Sequence, residues 1–234
     1  MIRVTVWNEF IHEREYEGIR KVYPDGIHGC IADFLGRNED ITVKCATLDM
    51  PEHGLSEEIL EDTDVLIWWG HCAHDKVDDK VVERVKNHVH RGMGLIALHS
   101  AHHSKIMKSL LGTTLNLNWK HGDSEKIFCV NPAHPIAAGI TEPIILENEE
   151  LYGEFFDIPK PDDEIFIGWF KSGYVFRSGL TFTRGMGRIF YFQPGHEEYP
   201  IYYNPQIQQI IMNAVRWAAP YRKMQNTFEC IQVK

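Results

Sequence analysis

The chain has 234 residues, 24 of them Lys or Arg and 33 of them Asp or Glu, which gives a formal net charge of −9. This acidic balance argues against nucleic acid or an anionic membrane as a partner, because both require a basic surface. No apolar run approaches the roughly 20 residues that span a bilayer, and the five irregularly spaced cysteines do not indicate a disulfide framework. We therefore expect a single cytoplasmic domain over residues 1–234 that binds a small neutral or cationic molecule.

The first half of the sequence alternates predicted strands with predicted helices. Alternating apolar residues predict a first strand that ends near Asn8, and a helix follows with His28 in its first turn. Further strands are predicted over 41–48 and 64–69, the latter ending at Trp69. Strands that alternate with helices predict a parallel sheet covered by helices on both faces.

A fourth buried strand is predicted over the apolar run 94–98, which stops abruptly at His99 and Ser100. The strand passes directly into a helix, a geometry in which the residue at the turn projects into solvent above the sheet, as in a nucleophile elbow. A meander of short strands is predicted next, and a last strand over 188–192 leads into a turn that contains His196.

Polar groups follow four of these strands, and ligands of open α/β sheets bind outside the carboxyl ends of the strands. We predict His99 and His196 as acid and base, with Glu198 orienting His196, because a nearby carboxylate sets the tautomer and basicity of an imidazole. Further contacts to a substrate are expected from polar or aromatic residues near the same edge: Asn8, Trp69, Ser100, His103, His121 and Glu197.

Histidine is unusually frequent, with 13 in the chain, and imidazole is a common metal ligand. A divalent metal, zinc being the easiest for imidazole, is the cofactor that these residues would hold. Its candidate ligands are His28, His71, His99 and His196. No nucleotide cofactor is expected, since the glycine pairs lack the G-x-G-x-x-G spacing after the first strand.

Seven motifs are specific enough for comparison with a known family. They are WNEFIHE from Trp7, YPDGIH from Tyr23, WWGHCAH from Trp68, GLIALHS from Gly94, NPAHPI from Asn131, YGEFFD from Tyr152 and YFQPGHE from Tyr191. In this order they closely resemble the ThuA-like trehalose-utilisation family, over roughly residues 1–220. The resemblance implies a class I glutamine amidotransferase-like fold, which is a flavodoxin-like, mostly parallel sheet with helices on both faces, here with an added antiparallel meander.

Amidotransferases of that fold place a catalytic cysteine at the elbow and a His-x-Glu pair after a later strand. His196 and Glu198 match the pair, whereas His99 and Ser100 stand where the cysteine is needed, so thiolate attack on glutamine is not expected.

The family's association with trehalose implies a carbohydrate partner. We expect an enzyme that breaks down trehalose or a related keto-sugar, of isomerase or hydrolase type. The alternatives are a non-catalytic sugar-binding or regulatory protein and, least favoured, a glutamine amidotransferase. The aromatic-rich meander leaves open a homo-oligomer interface or a wall of the substrate site.

Overall fold

The computed structural model describes residues 1–224 and Gln232. In this part of the chain the strands are β1 (Ile2–Asn8), β2 (Ile41–Thr47), β3 (Val65–Trp69), β4 (Gly94–Leu98), β5 (Asn118–Cys129), β6 (Ile144–Gly153), β7 (Asp163–Phe170), β8 (Val175–Arg184) and β9 (Gly187–Phe192). The helices are α1 (His12–Glu15), α2 (Glu17–Val22), α3 (Gly26–Gly36), α4 (Glu57–Glu61), α5 (Asp79–His90), α6 (Lys105–Leu111) and α7 (Pro205–Ala218).

All of these strands join one sheet that is parallel on one side and antiparallel on the other. Strands β2, β1, β3, β4 and β9 lie side by side in that order and run parallel. Strands β8, β7, β5 and β6 continue the sheet with antiparallel pairing. The predicted α/β sheet with an antiparallel addition is therefore confirmed, and the carboxyl ends of the parallel strands meet at one edge.

The central parallel strands β3 and β4 are apolar on both faces because helices cover both. On β3, Leu66 and Trp68 pack on the side that buries the valines of α5. Ile67 and Trp69 pack on the other side, with the apolar residues of α3 and α7. This double burial explains why the sequence of β3 is continuously apolar and does not alternate.

Strand β5 differs most from the sequence-based expectation. It has 12 residues, and its register with β6 shifts on both sides of Asp123. As a result, His121 lies on a strand and not in a loop. The amino-terminal half of β5 is mostly exposed, so the alternation of apolar and polar residues that marks a half-buried strand is missing there.

The helices of the described residues do not include a membrane span, because none of them is both long and apolar enough to cross a bilayer.

Candidate metal centre

The chain turns sharply where β4 ends. His99 has φ of +52°, a left-handed conformation that residues other than glycine rarely adopt, and a 3-10 turn follows over His99–His103. Contrary to the expectation of a side chain projecting into solvent, the His99 side chain is fully buried. Its Nδ1 donates to the carbonyl oxygen of Gln193 at 2.9 Å, so Nδ1 carries a hydrogen and Nε2 is the nitrogen available to a ligand.

Four side chains from separate segments converge beside this turn. His71 follows β3, His196 follows β9, and Glu150 lies on β6 with its Oε2 3.2 Å from Nε2 of His99. One ligand atom from each of His71, His99, Glu150 and His196 lies within 4.8 Å of the others. Three imidazoles and a carboxylate form a donor set that suits zinc and other divalent transition metals.

Glu197 orients the ring of His71. Its Oε1 lies 2.7 Å from Nδ1 of His71 and also accepts a hydrogen bond from Nδ1 of His12. Burial would raise the pKa of Glu197, but the bonds from His12 and His71 hold that pKa well below its usual range. The ionised carboxylate therefore fixes Nδ1 of His71 and leaves its Nε2 free for a metal.

His99 and Glu150 carry opposite charges in this arrangement. Burial alone would lower the pKa of His99, but the hydrogen bond to Glu150 and the charges of Glu149 and Glu150 raise it to about 9. Burial would raise the pKa of Glu150, but His99 lowers it to about 2. By contrast, burial and the charge of His99 lower the pKa of His196 to about 4. A cation bound here would compete with the proton on His99.

The turn that carries His196 is held by a second carboxylate on β6. Glu149 is fully buried and accepts from the backbone N–H groups of Gly195 at 2.8 Å and His196 at 3.1 Å. Consecutive residues of one strand thus have separate tasks, since Glu149 anchors the turn and Glu150 joins the potential metal ligands.

A cavity of about 990 Å³ opens beside this group of potential ligands, and His71, Glu150 and His196 line it, whereas His99 is fully buried. Four of the residues that are predicted to contact a substrate line this cavity, namely Ser100, His103, His121 and Glu197. Ser100 Oγ lies 2.6 Å from the hydroxyl of Tyr152, which stacks on His99. The cavity therefore brings together residues from both the parallel and the antiparallel part of the sheet.

Three predicted site residues lie elsewhere. Asn8 is fully buried, and its Nδ2 contacts Glu13 at 2.6 Å and Nδ1 of His28 at 3.0 Å. His28 is therefore not part of the donor group, because the first turn of α3 places it against the end of β1. Trp69 is also fully buried, and its indole N–H donates to the carbonyl of Gly195, so its ring is not available for stacking.

Glu198 orients a different ring from the one predicted. Its Oε2 lies 2.9 Å from Nε2 of His121, whereas only its backbone N–H reaches Nδ1 of His196, at 3.3 Å. The predicted pairing used the short sequence separation of Glu198 and His196. Strand β5 instead delivers a closer imidazole from a distant part of the chain.

Sequence reasoning missed His12, Glu150 and Trp119. His12 follows the first strand in the WNEFIHE motif, and Glu150 lies in a run of acidic residues that is typical of an exposed segment. Trp119 lies on the irregular part of β5, is 67% exposed and lines the cavity. For His12, the WNEFIHE motif is the feature of the sequence that could have indicated a functional role. The positions of Glu150 and Trp119 depend on strand pairing, which the sequence does not reveal.

Another group of potential metal ligands is formed by the exposed Glu57 and Glu61 and the buried His88. The guanidinium of Arg91 already occupies it, at 2.7 Å from Oε1 of Glu61 and 3.0 Å from Nε2 of His88. A permanent cation in this position disfavours a metal ion there.

Cys72 does not supply the nucleophile that the elbow lacks. Its Sγ lies 3.2 Å from Oε1 of Glu9. Burial and the charge of Glu9 raise the pKa of Cys72 to about 12, so the thiol is protonated at neutral pH and is a poor nucleophile.

Solved structures with a similar fold include a ThuA-like protein from Parabacteroides merdae, with 14% identity, a TM-score of 0.69 and coverage of 97% of this chain and 92% of that chain. A cytoplasmic protein from Salmonella typhimurium has 13% identity, a TM-score of 0.64 and coverage of 94% and 100%. A Thermoplasma acidophilum protein whose description is a GMP synthase component has 12% identity, a TM-score of 0.50 and coverage of 92% and 93%. These similarities show the glutamine amidotransferase-like fold.

A comparison with curated proteins finds no match. The family model described as ThuA, trehalose utilisation, matches residues 3–218. This match spans nearly the whole chain, so the protein belongs to the ThuA family, whose description supports a role in sugar metabolism in general terms.

Proposed function

We propose that this protein is a divalent-metal-dependent enzyme that acts on trehalose or a related keto-sugar. The observation that carries the proposal is the convergence of His71, His99, Glu150 and His196 within 4.8 Å. Zinc is the metal that we favour, because imidazole and carboxylate groups are its common ligands in catalytic sites.

The hydrogen bonds around the donors support a metal. His71 donates from Nδ1 to Glu197, and His99 donates from Nδ1 to the carbonyl of Gln193. Metal-bound histidines use one nitrogen for the metal and the other for such a carboxylate or carbonyl partner. Both rings are therefore held in the orientation that a metal requires.

The cavity lining supports a carbohydrate as the substrate. Trp119 presents an exposed indole ring, and Ser100, Asn116 and His103 present polar groups. A sugar ring offers hydroxyl groups for hydrogen bonds and an apolar face for an aromatic ring, so this mixture suits it. The description of the ThuA family by trehalose utilisation supports the same substrate class.

When bound, the metal would act as a Lewis acid that polarises a substrate oxygen. We assign proton transfer to His121, which lines the cavity and contacts Oε2 of Glu198 through Nε2. Ser100, whose hydroxyl is fixed by Tyr152, would hydrogen bond a substrate oxygen. Isomerisation of a keto-sugar and addition of water to its carbonyl both need a positioned oxygen and a base. In this proposal His99 and His196 act as ligands and no longer as acid and base.

Metal content tests the proposal. Protein purified without a histidine tag should contain about one equivalent of divalent transition metal by mass spectrometry, since the donors form a single group. His71→Ala and Glu150→Gln should lose it, and His90→Ala, outside the cavity, should retain it. Wild-type protein that neither contains nor takes up a transition metal would refute the metal role.

Turnover tests the second half of the proposal. Wild-type protein loaded with zinc should convert trehalose-derived keto-sugars, and Glu150→Gln should not. Sugar binding without turnover would favour the non-catalytic alternative.

We also place the protein in a reducing cytoplasm, which is supported by the free thiols of the described cysteines Cys30, Cys45, Cys72 and Cys129.

A further inference from the structure

Glu125 supplies a further buried carboxyl group next to the segments that carry the proposed metal ligands. Glu125 on β5 is fully buried, and its Oε1 lies 3.1 Å from Oγ of Ser178 on β8. Its Oε2 has no hydrogen-bond partner among the described residues. A Cβ atom on Gly168 of β7 would lie 2.0 Å from Oε1, so the glycine leaves the space that the carboxyl group fills.

The hydrogen bonds of Ser178 locate a proton. Ser178 Oγ also lies 3.0 Å from Oε1 of Gln193. The amide of Gln193 is fixed in this orientation, because its Nε2 donates to the backbone carbonyl of Glu150 at 3.1 Å and the reverse orientation would bring two oxygens together. Oε1 of Gln193 can only accept, so it takes the single hydroxyl hydrogen of Ser178. The hydrogen between Ser178 and Glu125 must then come from Glu125.

We propose that Glu125 is a protonated carboxylic acid that donates to Ser178, and that the chain Glu125–Ser178–Gln193 positions two of the metal ligands. The backbone carbonyl of Gln193 accepts from Nδ1 of His99, and its side-chain amide binds the backbone of Glu150. The positioning role rests on the proposed metal centre. The protonation of Glu125 does not.

The environment of Glu125 agrees with this hydrogen-bond count. Burial and the negative charge of Glu149 raise the pKa of Glu125 well above its usual range. A buried carboxylate with an unpartnered charged oxygen would carry a large desolvation cost. In the acid form the unpartnered atom is a neutral carbonyl oxygen, and the desolvation cost of burying it is much smaller.

Infrared difference spectroscopy in D₂O at neutral pH tests the protonation. Wild-type protein should show the carbonyl stretch of a protonated carboxyl group, and this band should disappear in Glu125→Gln. The glutamine amide can donate to Ser178 as the acid does, so the variant should remain folded. Glu164→Gln, an exposed substitution on β7, should retain the band. A difference spectrum without a Glu125-dependent band would overturn the protonation.

Binding and visible absorption of Co²⁺ test the positioning role. Glu125→Gln should bind Co²⁺ with wild-type affinity and spectrum. Ser178→Ala, which cuts the chain, should shift the absorption bands and weaken binding by about 10-fold, as for other partners of metal ligands. Gly168→Ala, which displaces the Glu125 carboxyl group, should also shift the absorption bands and weaken Co²⁺ binding.

Identical Co²⁺ affinities and spectra in all of these proteins would overturn the positioning role. Equal weakening in Glu125→Gln and Ser178→Ala would also overturn it, because the amide should replace the acid. If wild-type protein binds no Co²⁺, the metal centre and the positioning role fail together, while the infrared result still decides the protonation of Glu125.

Discussion

Nδ1 of His71 lies 2.7 Å from Oε1 of Glu197, and this bond leaves the other nitrogen of His71 for a metal shared with His99, Glu150 and His196. Glu197→Gln removes the negative charge while preserving the shape of the side chain. We predict that it lowers metal affinity by about 10- to 100-fold, the usual effect of losing such a partner. Titration with a chelator as competitor measures this. Glu147→Gln, exposed on β6, is the matched control, and equal affinities in the two variants would contradict the orienting role.

His121 should carry the proton in turnover. His121→Asn is predicted to lower kcat by about 100-fold or more, as expected for a general acid or base, with little change in metal content. Glu198→Gln should cause a smaller loss in kcat, because it removes only the partner of the ring. Steady-state kinetics with zinc-loaded protein measures both effects. Wild-type kcat in His121→Asn would show that the proton moves through another group.

Trp119 should form the stacking surface for a sugar ring. Trp119→Ala is predicted to raise KM by about 10-fold, which corresponds to about 1.4 kcal/mol of lost aromatic contact. Trp169→Ala is the control, since that partly exposed residue lies on β7 and does not line the cavity. Equal KM values for Trp119→Ala and the wild type would exclude stacking on this ring.

The ion pair of Arg177 and Glu154 should make stability depend on pH. Both carboxylate oxygens of Glu154 accept from Arg177 at 2.8 Å, and although burial would raise the pKa of Glu154, these bonds lower it. A carboxylate whose pKa is lower in the folded state stabilises the fold above its unfolded pKa, and this contribution disappears as the pH falls through the folded value.

Arg177→Met should therefore lower the free energy of unfolding by about 1 kcal/mol at neutral pH, a modest value because both side chains are partly exposed. The difference from the wild type should shrink below about pH 4, where Glu154 becomes protonated in the unfolded chain. Urea denaturation at a series of pH values measures it. A difference that is constant with pH would assign the effect to packing.

Three of the four potential metal ligands could be predicted from the sequence, because His71, His99 and His196 follow continuous apolar strands. The carboxyl ends of parallel strands meet at one edge of a sheet, so position along the strand is enough to place them. The prediction failed for His28, because the turn at the start of α3 directs it to Asn8 and away from the donors.

The contribution of the antiparallel strands could be predicted only in part, because the sequence indicates His121 as a substrate contact but gives no sign of Glu150 or of the pairing between His121 and Glu198. Glu150 and His121 belong to β6 and β5, which are paired with each other but are far from β4 in the sequence. Their location at the site depends on the strand order of the sheet and on the register shifts in β5. The local pattern around Glu150 is acidic, and such runs usually lie in solvent.

The position of a bound metal tests the central claim most directly. Crystals of tag-free protein grown with Zn²⁺ should show an anomalous peak at the zinc absorption edge, bonded to His71, His99, Glu150 and His196 at about 2.0–2.2 Å. No peak at these residues, or a peak confined to Glu57, Glu61 and His88, would contradict the account.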